Sequence, residues 1–180
     1  MLRRLHLFLL RVYRRLPTRG RRFVVRRLAP TFTVGAMGVV ERAGGDLLLV
    51  RHSYRKRWGV PGGLLKAGES PEDALRREVR EEVALDLDLA GEPVVVVDAE
   101  PKRVDIVFLA SAVDDGGLDS LRPISPEILD VRWFPADELP ELQFETAGAL
   151  MALGRAGQAP EAWQKAGPTP LESARARRAR

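Results

Sequence analysis

The chain contains no cysteine, which excludes a disulfide framework, a zinc–thiolate site and a thiol nucleophile. It has no apolar run long enough to span a bilayer. No serine precedes Ser53, whereas a mitochondrial presequence is rich in serine as well as arginine. The short apolar stretch near the start runs into further arginines without a small-residue cleavage site, which argues against a secretory signal. The first 30 residues also lack any acid. What is present, 180 residues that are 45% hydrophobic and 30% charged, suffices for one domain with a sizeable core. The expected location is the cytoplasm, with peripheral attachment to a membrane left open by the N-terminal segment.

The net charge of +4 conceals an asymmetry, because residues 1–30 hold ten arginines while residues 31–160 hold 14 Lys plus Arg against 23 Asp plus Glu. A second basic cluster, Arg175, Arg177, Arg178 and Arg180, ends an Ala-, Pro- and Gly-rich stretch with little to pack, so residues 156–180 are expected to be a loosely held tail. Leu2 to Leu16 reads as an amphipathic helix followed by a linker to residue 30. At 100° per residue Arg3, Arg4, Arg11, Arg14 and Arg15 share an arc of about 120°, opposite Leu2, Leu5, Leu9, Val12, Tyr13 and Leu16. Such a helix suits an anionic membrane surface, a cover for its own domain, or pairing with a second copy in a homodimer. No specific nucleic-acid partner is expected.

Between residues 31 and 155 the pattern is that of one α/β domain. Phe32–Glu41 and Asp46–His52 read as strands joined in a hairpin by Ala43-Gly44-Gly45. Pro93–Asp98, Arg103–Val113 and Ile128–Phe134 read as further strands, separated by Pro101 and by Asp114-Asp115-Gly116-Gly117. Pro135–Pro140 suggests a helical turn and Phe144–Leu153 a closing helix.

The most specific feature lies between these strands. Gly63 is followed after five residues by Glu69, after seven more by Arg77-Glu78-Val79, then by Glu81-Glu82 and by Leu85. Ser70 is a good N-cap, Pro71 suits the first helical position and Asp73 completes a capping-box-like start, so a helix should begin at Pro71. Steps of three and four put Glu78, Glu81 and Glu82 on one face, while Ala74, Leu75, Val79 and Val83 line another that can bury against a sheet. Three neighbouring carboxylates repel one another, and a hard divalent cation relieves that repulsion.

This spacing resembles the Nudix box, matching eight of its nine specified positions, with Ala84 in place of the second glycine. The lead-in Trp58-Gly59-Val60-Pro61-Gly62-Gly63 is similar to the family as well. The resemblance implies an α/β/α sandwich with a mixed sheet. It also implies hydrolysis of a nucleoside diphosphate linked to another moiety, with Mg²⁺, or Mn²⁺ as the alternative ion. By position it makes Glu78, Glu81 and Glu82 metal ligands together with the carbonyl of Gly62, and Arg77 with Glu69 a pair that orients them. The general base is Glu81 or, from a later loop, Glu127, with Asp130 a third candidate. Phosphate contacts fall to Arg51, where the family often places a substrate-binding arginine, and to the loop cations Arg55, Lys56 and Arg57. Trp58 and Trp133 either stack a base or belong to the core. Ala84 should cost about 1 kcal/mol if the turn there is left-handed. Pro101, sixteen residues beyond Leu85, is similar to the spacing that marks ADP-ribose pyrophosphatases. The substrate expected is therefore a nucleotide-derived small molecule, ADP-ribose or another ADP-sugar in the first instance, with nucleoside triphosphates as the alternative. The readings from other classes are a catalytically silent nucleotide sensor on the same fold and an adaptor driven by the basic ends.

Overall fold

A computed structural model describes residues 2–113, 121–158 and 160. It divides into two units, Met1–Phe32 and Thr33–Arg180. The first holds two helices, α1 (Leu2–Arg15) and α2 (Thr18–Leu28). The expected helix ends one residue early, and the segment read as linker is itself helical. Pro17 explains the break: it has no N–H to donate and disfavours helical backbone at Leu16, yet at the N-cap of α2 its carbonyl accepts from Arg21 N–H at 3.0 Å. The second helix was hidden because its arginines, at positions 19, 21, 22, 26 and 27, leave no clean apolar stripe.

The second unit runs β1 (Thr33–Val40), β2 (Asp46–His52), β3 (Gly62–Leu64), α3 (Pro71–Val83), β4 (Leu87–Asp98), β5 (Arg103–Ala112), β6 (Ile128–Pro135) and α4 (Phe144–Arg155). One sheet has the order β3-β1-β5-β4, with β1 parallel to β5 and the other pairs antiparallel; β2 and β6 form a second, antiparallel sheet. The α/β class and the mixed sheet are as expected.

Strand alternation distributes the core between two layers. Ala36 and Val40 of β1, with Leu48 and Val50 of β2, pack toward Ala74, Leu75, Val79 and Val83 of α3. Met37 and Val39, with Leu47 and Leu49, pack toward Ala149, Leu150 and Leu153 of α4. Strands covered on both faces read as continuous apolar runs, which is why Leu47-Leu48-Leu49-Val50 shows no polar alternation.

Two sequence expectations change. The turn after β1 forms, with Gly45 N–H donating to Arg42 O at 3.0 Å, but pairing stops at a single bridge between Glu41 and Leu47. β5 runs along one edge of β1, β3 holds the other over Gly35–Met37 with Gly38 N–H on Pro61 O beyond it, and β2 pairs with β6 instead, so no hairpin ladder forms. β4 begins at Leu87, well before Pro93, because an irregularity between Ala90 and Val94, with Gly91 at φ +67°, interrupts its periodicity. After β6 the chain makes one turn, closed by Glu138 N–H on Pro135 O, where a short helical turn was expected. The expected turn at Asp114–Gly117 and the arginines from Arg175 onward lie outside the described residues.

Helix α3 ends on Ala84, whose backbone is left-handed at φ 56°, ψ 36° and donates its N–H to Arg80 O. Replacing it by glycine removes the Cβ clash at the cost of a more flexible unfolded chain. Ala84→Gly should therefore raise stability by about 0.5–1 kcal/mol in denaturant unfolding; an equal or lower midpoint would show that the turn carries no strain.

Candidate active site

Ser70 begins α3 as the residue types require: its Oγ accepts from Asp73 N–H at 3.2 Å and donates to Asp73 Oδ2 at 2.8 Å, with Pro71 at the first helical position. The cap fixes the phase of the acidic residues that follow. Glu78 is half-buried beneath β3, where a Cβ on Gly63 would lie 2.3 Å from Glu78 Cδ. Gly62, at φ +146°, passes so close to β1 that a Cβ there would sit 2.2 Å from Ala36 O. Only glycine allows this strand to run between β1 and the acidic helix.

Arg77 is the hub of the box. Its Nε and Nη2 donate to Glu69 Oε1 and Oε2 at 2.7 and 2.9 Å, its Nη1 donates to Glu78 Oε1 at 2.7 Å and Glu81 Oε2 at 3.3 Å, and Nη2 also reaches Leu64 O at 3.2 Å. The Arg77–Glu69 bond with a second N–H from Lys66 at 2.9 Å holds the Glu69 carboxyl down at about 2, against an ordinary 4.5. Hydrogen bonding to Glu69 raises Arg77 above its usual value.

Glu82 differs from its neighbours. It is 6% exposed, and burial pushes its carboxyl up, an effect opposed chiefly by His52. Glu82 Oε1 lies 3.6 Å from His52 Nε2, while Oε2 is buried without a hydrogen-bond partner. Glu81 is half-exposed and also lies 3.9 Å from Lys66 Nζ. Gly62 N–H favours the charged form of Glu82, so Gly62, Glu78 and Glu82 come together at one place. Among the described residues no three acidic or histidine side chains are already closed around a common point. The donor set nevertheless fits a hard divalent cation: adjacent carboxylates, one with a buried unpartnered oxygen, beside a glycine backbone.

The other expected residues are dispersed. Glu127 is exposed, but its carbonyl accepts from Ser53 N–H at 2.8 Å, which brings it to the end of β2 next to His52. Arg51 stands opposite Asp130 at 3.8 Å and 5.7 Å above the Trp58 ring, with its Nε buried and unpartnered. Arg57 forms an exposed pair with Glu141 at 2.7 Å, and Arg55 pairs with Glu145 at 2.8 Å. Trp58 packs edge-on against Phe134 at 4.9 Å, and Trp133 packs against the α3 layer, so both are partly buried against the core.

The family model of the NUDIX domain matches residues 31–153. The chain belongs to the Nudix family. Among curated relatives, a MutT-like protein of Streptomyces ambofaciens is 32% identical over 116 residues, covering 64% of this chain and 72% of the relative. The human 8-oxo-dGDP phosphatase is 33% identical over 101 residues, 53% of this chain and 30% of that protein, and a putative ADP-ribose pyrophosphatase of Bacillus subtilis is 28% identical over 120 residues, 63% and 55%. The match thus spans about half the Bacillus relative and under a third of the human one. Among solved structures, a MutT Nudix hydrolase from Burkholderia pseudomallei superposes with a TM-score of 0.57 at 28% identity, covering 69% of this chain and 99% of that one. A Nudix hydrolase from Nitrosomonas europaea, at 22% identity, superposes with a TM-score of 0.58 over 73% and 76% of the two chains.

This Nudix hydrolase has two polar residues at its site that the sequence reading passed over, His52 and Gln143, each 8% exposed. A buried histidine two residues beyond the apolar run Leu47–Val50 is the first, and its place at the end of that run was the available signal; nothing local pointed to the second.

The Glu69–Arg77 pair carries a pH signature. Because the folded carboxyl titrates below its ordinary value, its stabilisation is present above about pH 4.5 and is lost as pH falls toward about 2. Glu69→Gln should be less stable than the unaltered protein at pH 7, with the difference in unfolding midpoint narrowing as pH falls through 4. A difference independent of pH would remove the charge from the explanation.

Proposed function

We propose that this Nudix hydrolase cleaves the pyrophosphate of a nucleoside diphosphate linked to a second moiety, with ADP-ribose or another ADP-sugar as the substrate class. The observation that carries the reading is the buried, unpartnered Oε2 of Glu82 beside Glu78 and the Gly62 backbone. Glu78, Glu82 and the Gly62 carbonyl would hold Mg²⁺, or Mn²⁺ in its place, with Glu81 completing the set. A cation bound there neutralises phosphate oxygens and acidifies water. Arg77 holds Glu78 and Glu81 in place through its bonds to both. Glu81, more exposed than the other two, accepts the proton of the attacking water in this reading, and Glu127 is the second candidate. Arg51, with its free Nε, is the first candidate for a phosphate contact; Arg57 would have to give up Glu141 to serve.

The position of Pro101 and the Bacillus relative's name support an ADP-ribose-like substrate. The name of the human 8-oxo-dGDP relative supports a free nucleotide as the second reading, alongside the nucleoside triphosphates that the sequence left as the alternative. A panel of ADP-ribose, ADP-sugars and nucleoside triphosphates with Mg²⁺, resolved by chromatography, separates them. Release of AMP from ADP-ribose is the expected result; exclusive turnover of triphosphates would replace it by the second reading. Glu82→Gln should lower kcat by about 100-fold or more while preserving size. A carboxyl raised by burial destabilises the fold once pH exceeds its ordinary value, so the neutral variant should be at least as stable at pH 7 without added metal. Near-normal turnover would show that Glu82 is not an essential ligand.

The basic helices support a second, independent role in attachment to an anionic membrane. Phe8, Phe23 and Leu28 are 61%, 69% and 79% exposed, and a shallow cleft lined by Tyr13, Thr18, Arg21, Arg22 and Arg26 offers cations to a phosphate. No helix among the described residues is long and apolar enough to cross a membrane. The full chain should bind phosphatidylglycerol vesicles and release them as salt rises. A chain with Arg21, Arg22 and Arg26 changed to Gln should bind less, with turnover unchanged. Equal binding to neutral vesicles, or a dimer that these changes dissociate, would overturn membrane attachment.

A further inference from the structure

His52 ends β2 two residues beyond Val50, just past an irregularity in the pairing with β6, and its ring lies against Glu82 of α3. It reaches Glu82 with Nε2 at 3.6 Å, and its other nitrogen, Nδ1, lies 3.4 Å from Gln143 Nε2. Gln143 occupies the N-cap position of α4 but makes no side-chain cap bond; its amide is turned inward and donates to Arg57 O at 3.1 Å. A carbonyl can only accept, so this contact fixes which end of the amide is nitrogen. That nitrogen has a second hydrogen, and it faces His52. Across this contact Nδ1 can only accept, which in a neutral ring puts the proton on Nε2, on the side of Glu82.

The surroundings hold Gln143 in this pose. A Cβ on Gly59 would lie 2.9 Å from Gln143 Cδ, Nε2 and Oε1, so the amide rests against bare backbone. Gln143 N–H donates to Trp58 O at 2.7 Å, and Val60 N–H donates to Thr146 Oγ1 at 3.1 Å. The loop before the box is thereby tied to the first turn of α4. Gly59 in the lead-in has a steric reason that the motif alone does not supply.

We propose that Gln143 and His52 form a positioning chain from the start of α4 to Glu82, in which the His52 Nε2–H engages Oε1 and leaves Oε2 directed at the cation site. This rests on the metal role assigned to Glu82 above. The separation of 3.6 Å exceeds a direct hydrogen bond, and a small rotation of either side chain closes it. An imidazole N–H that orients a ligating carboxylate works as an outer-shell partner does: it restricts the carboxylate to one pose and protects one oxygen. Loss of such a partner lowers metal affinity about 10- to 100-fold.

The chain has only two histidines, His6 and His52, so two-bond ¹⁵N–¹H spectra of the full protein read the tautomer of each ring. His52 should show the Nε2–H form, and His52 in Gln143→Leu should become a mixture of tautomers. Mn²⁺ titrations followed by electron paramagnetic resonance should show His52→Leu binding about 10- to 100-fold more weakly. His52→Gln, whose amide N–H can replace the imidazole donor, should stay within a few-fold of the unaltered protein. An Nδ1–H tautomer in the unaltered protein, a His52 tautomer insensitive to Gln143→Leu, or unchanged Mn²⁺ affinity in folded His52→Leu would overturn the proposal. So would equal weakening in the Gln and Leu variants, which would mark a packing effect. If the unaltered protein binds no Mn²⁺, the metal role of Glu82 fails and this proposal with it, a result distinct from binding that ignores His52.

Discussion

Arg77 joins five parts of this site through one planar group: both oxygens of Glu69, one oxygen each of Glu78 and Glu81, and the carbonyl of Leu64. A lysine could supply the charge but not this fork of donors in fixed directions. The pair with Glu69 spans the turn between β3 and α3, so the glycine strand and the acidic helix are tied by the same guanidinium that separates two mutually repelling carboxylates. With side chains only 19% and 15% exposed, Arg77 and Glu69 lose much of their water, and breaking the pair from either side would leave a charge without compensation. The constellation depends on this residue more than on any carboxylate it arranges.

The layering of the fold explains why the three box acids are unequal. A helix that buries one face against a sheet must place some of its residues at the boundary, and on α3 Glu82 falls among Ala74, Leu75, Val79 and Val83, inside it. Desolvation makes that carboxylate costly alone and strongly attractive to a cation. Glu81, one position earlier, faces outward and keeps its water. Neighbouring residues thus acquire different environments from a rotation of 100° about one helix axis.

The catalytic unit and the N-terminal unit follow opposite electrostatic logic. The ten arginines of the first 30 residues lie outside the family match, whereas residues 31–160 are net acidic. Cations inside the second unit are mostly paired, as Arg55, Arg57, Arg80 and Arg103 are with acids. Arg51 also faces an acid, Asp130, at 3.8 Å, but its Nε is buried without a hydrogen-bond partner.

Much of this was legible in the chain because it depended on local spacing. The cap at Ser70 and the register of Glu78, Glu81 and Glu82 follow from contacts within one or two helical turns, where helix geometry leaves few alternatives; the pairing of Arg77 with Glu69 was implied only by the family resemblance, and the sequence left the handedness of the stop at Ala84 open. The limits of β2 and the start of β5 were readable from apolar runs for the same reason. Strand partnership was not: a glycine turn after β1 is compatible with a hairpin, and only the assembled sheets show β1 between β3 and β5 and β2 paired with β6. Nor could the sequence place His52 against Glu82 or bring Gln143 to His52 across 91 positions, since such contacts exist only once two sheets and two helices have closed on one another. The sequence by itself determined which groups could do the chemistry; tertiary packing decided which of them lost water and which way they point, because desolvation and orientation are properties of the closed fold.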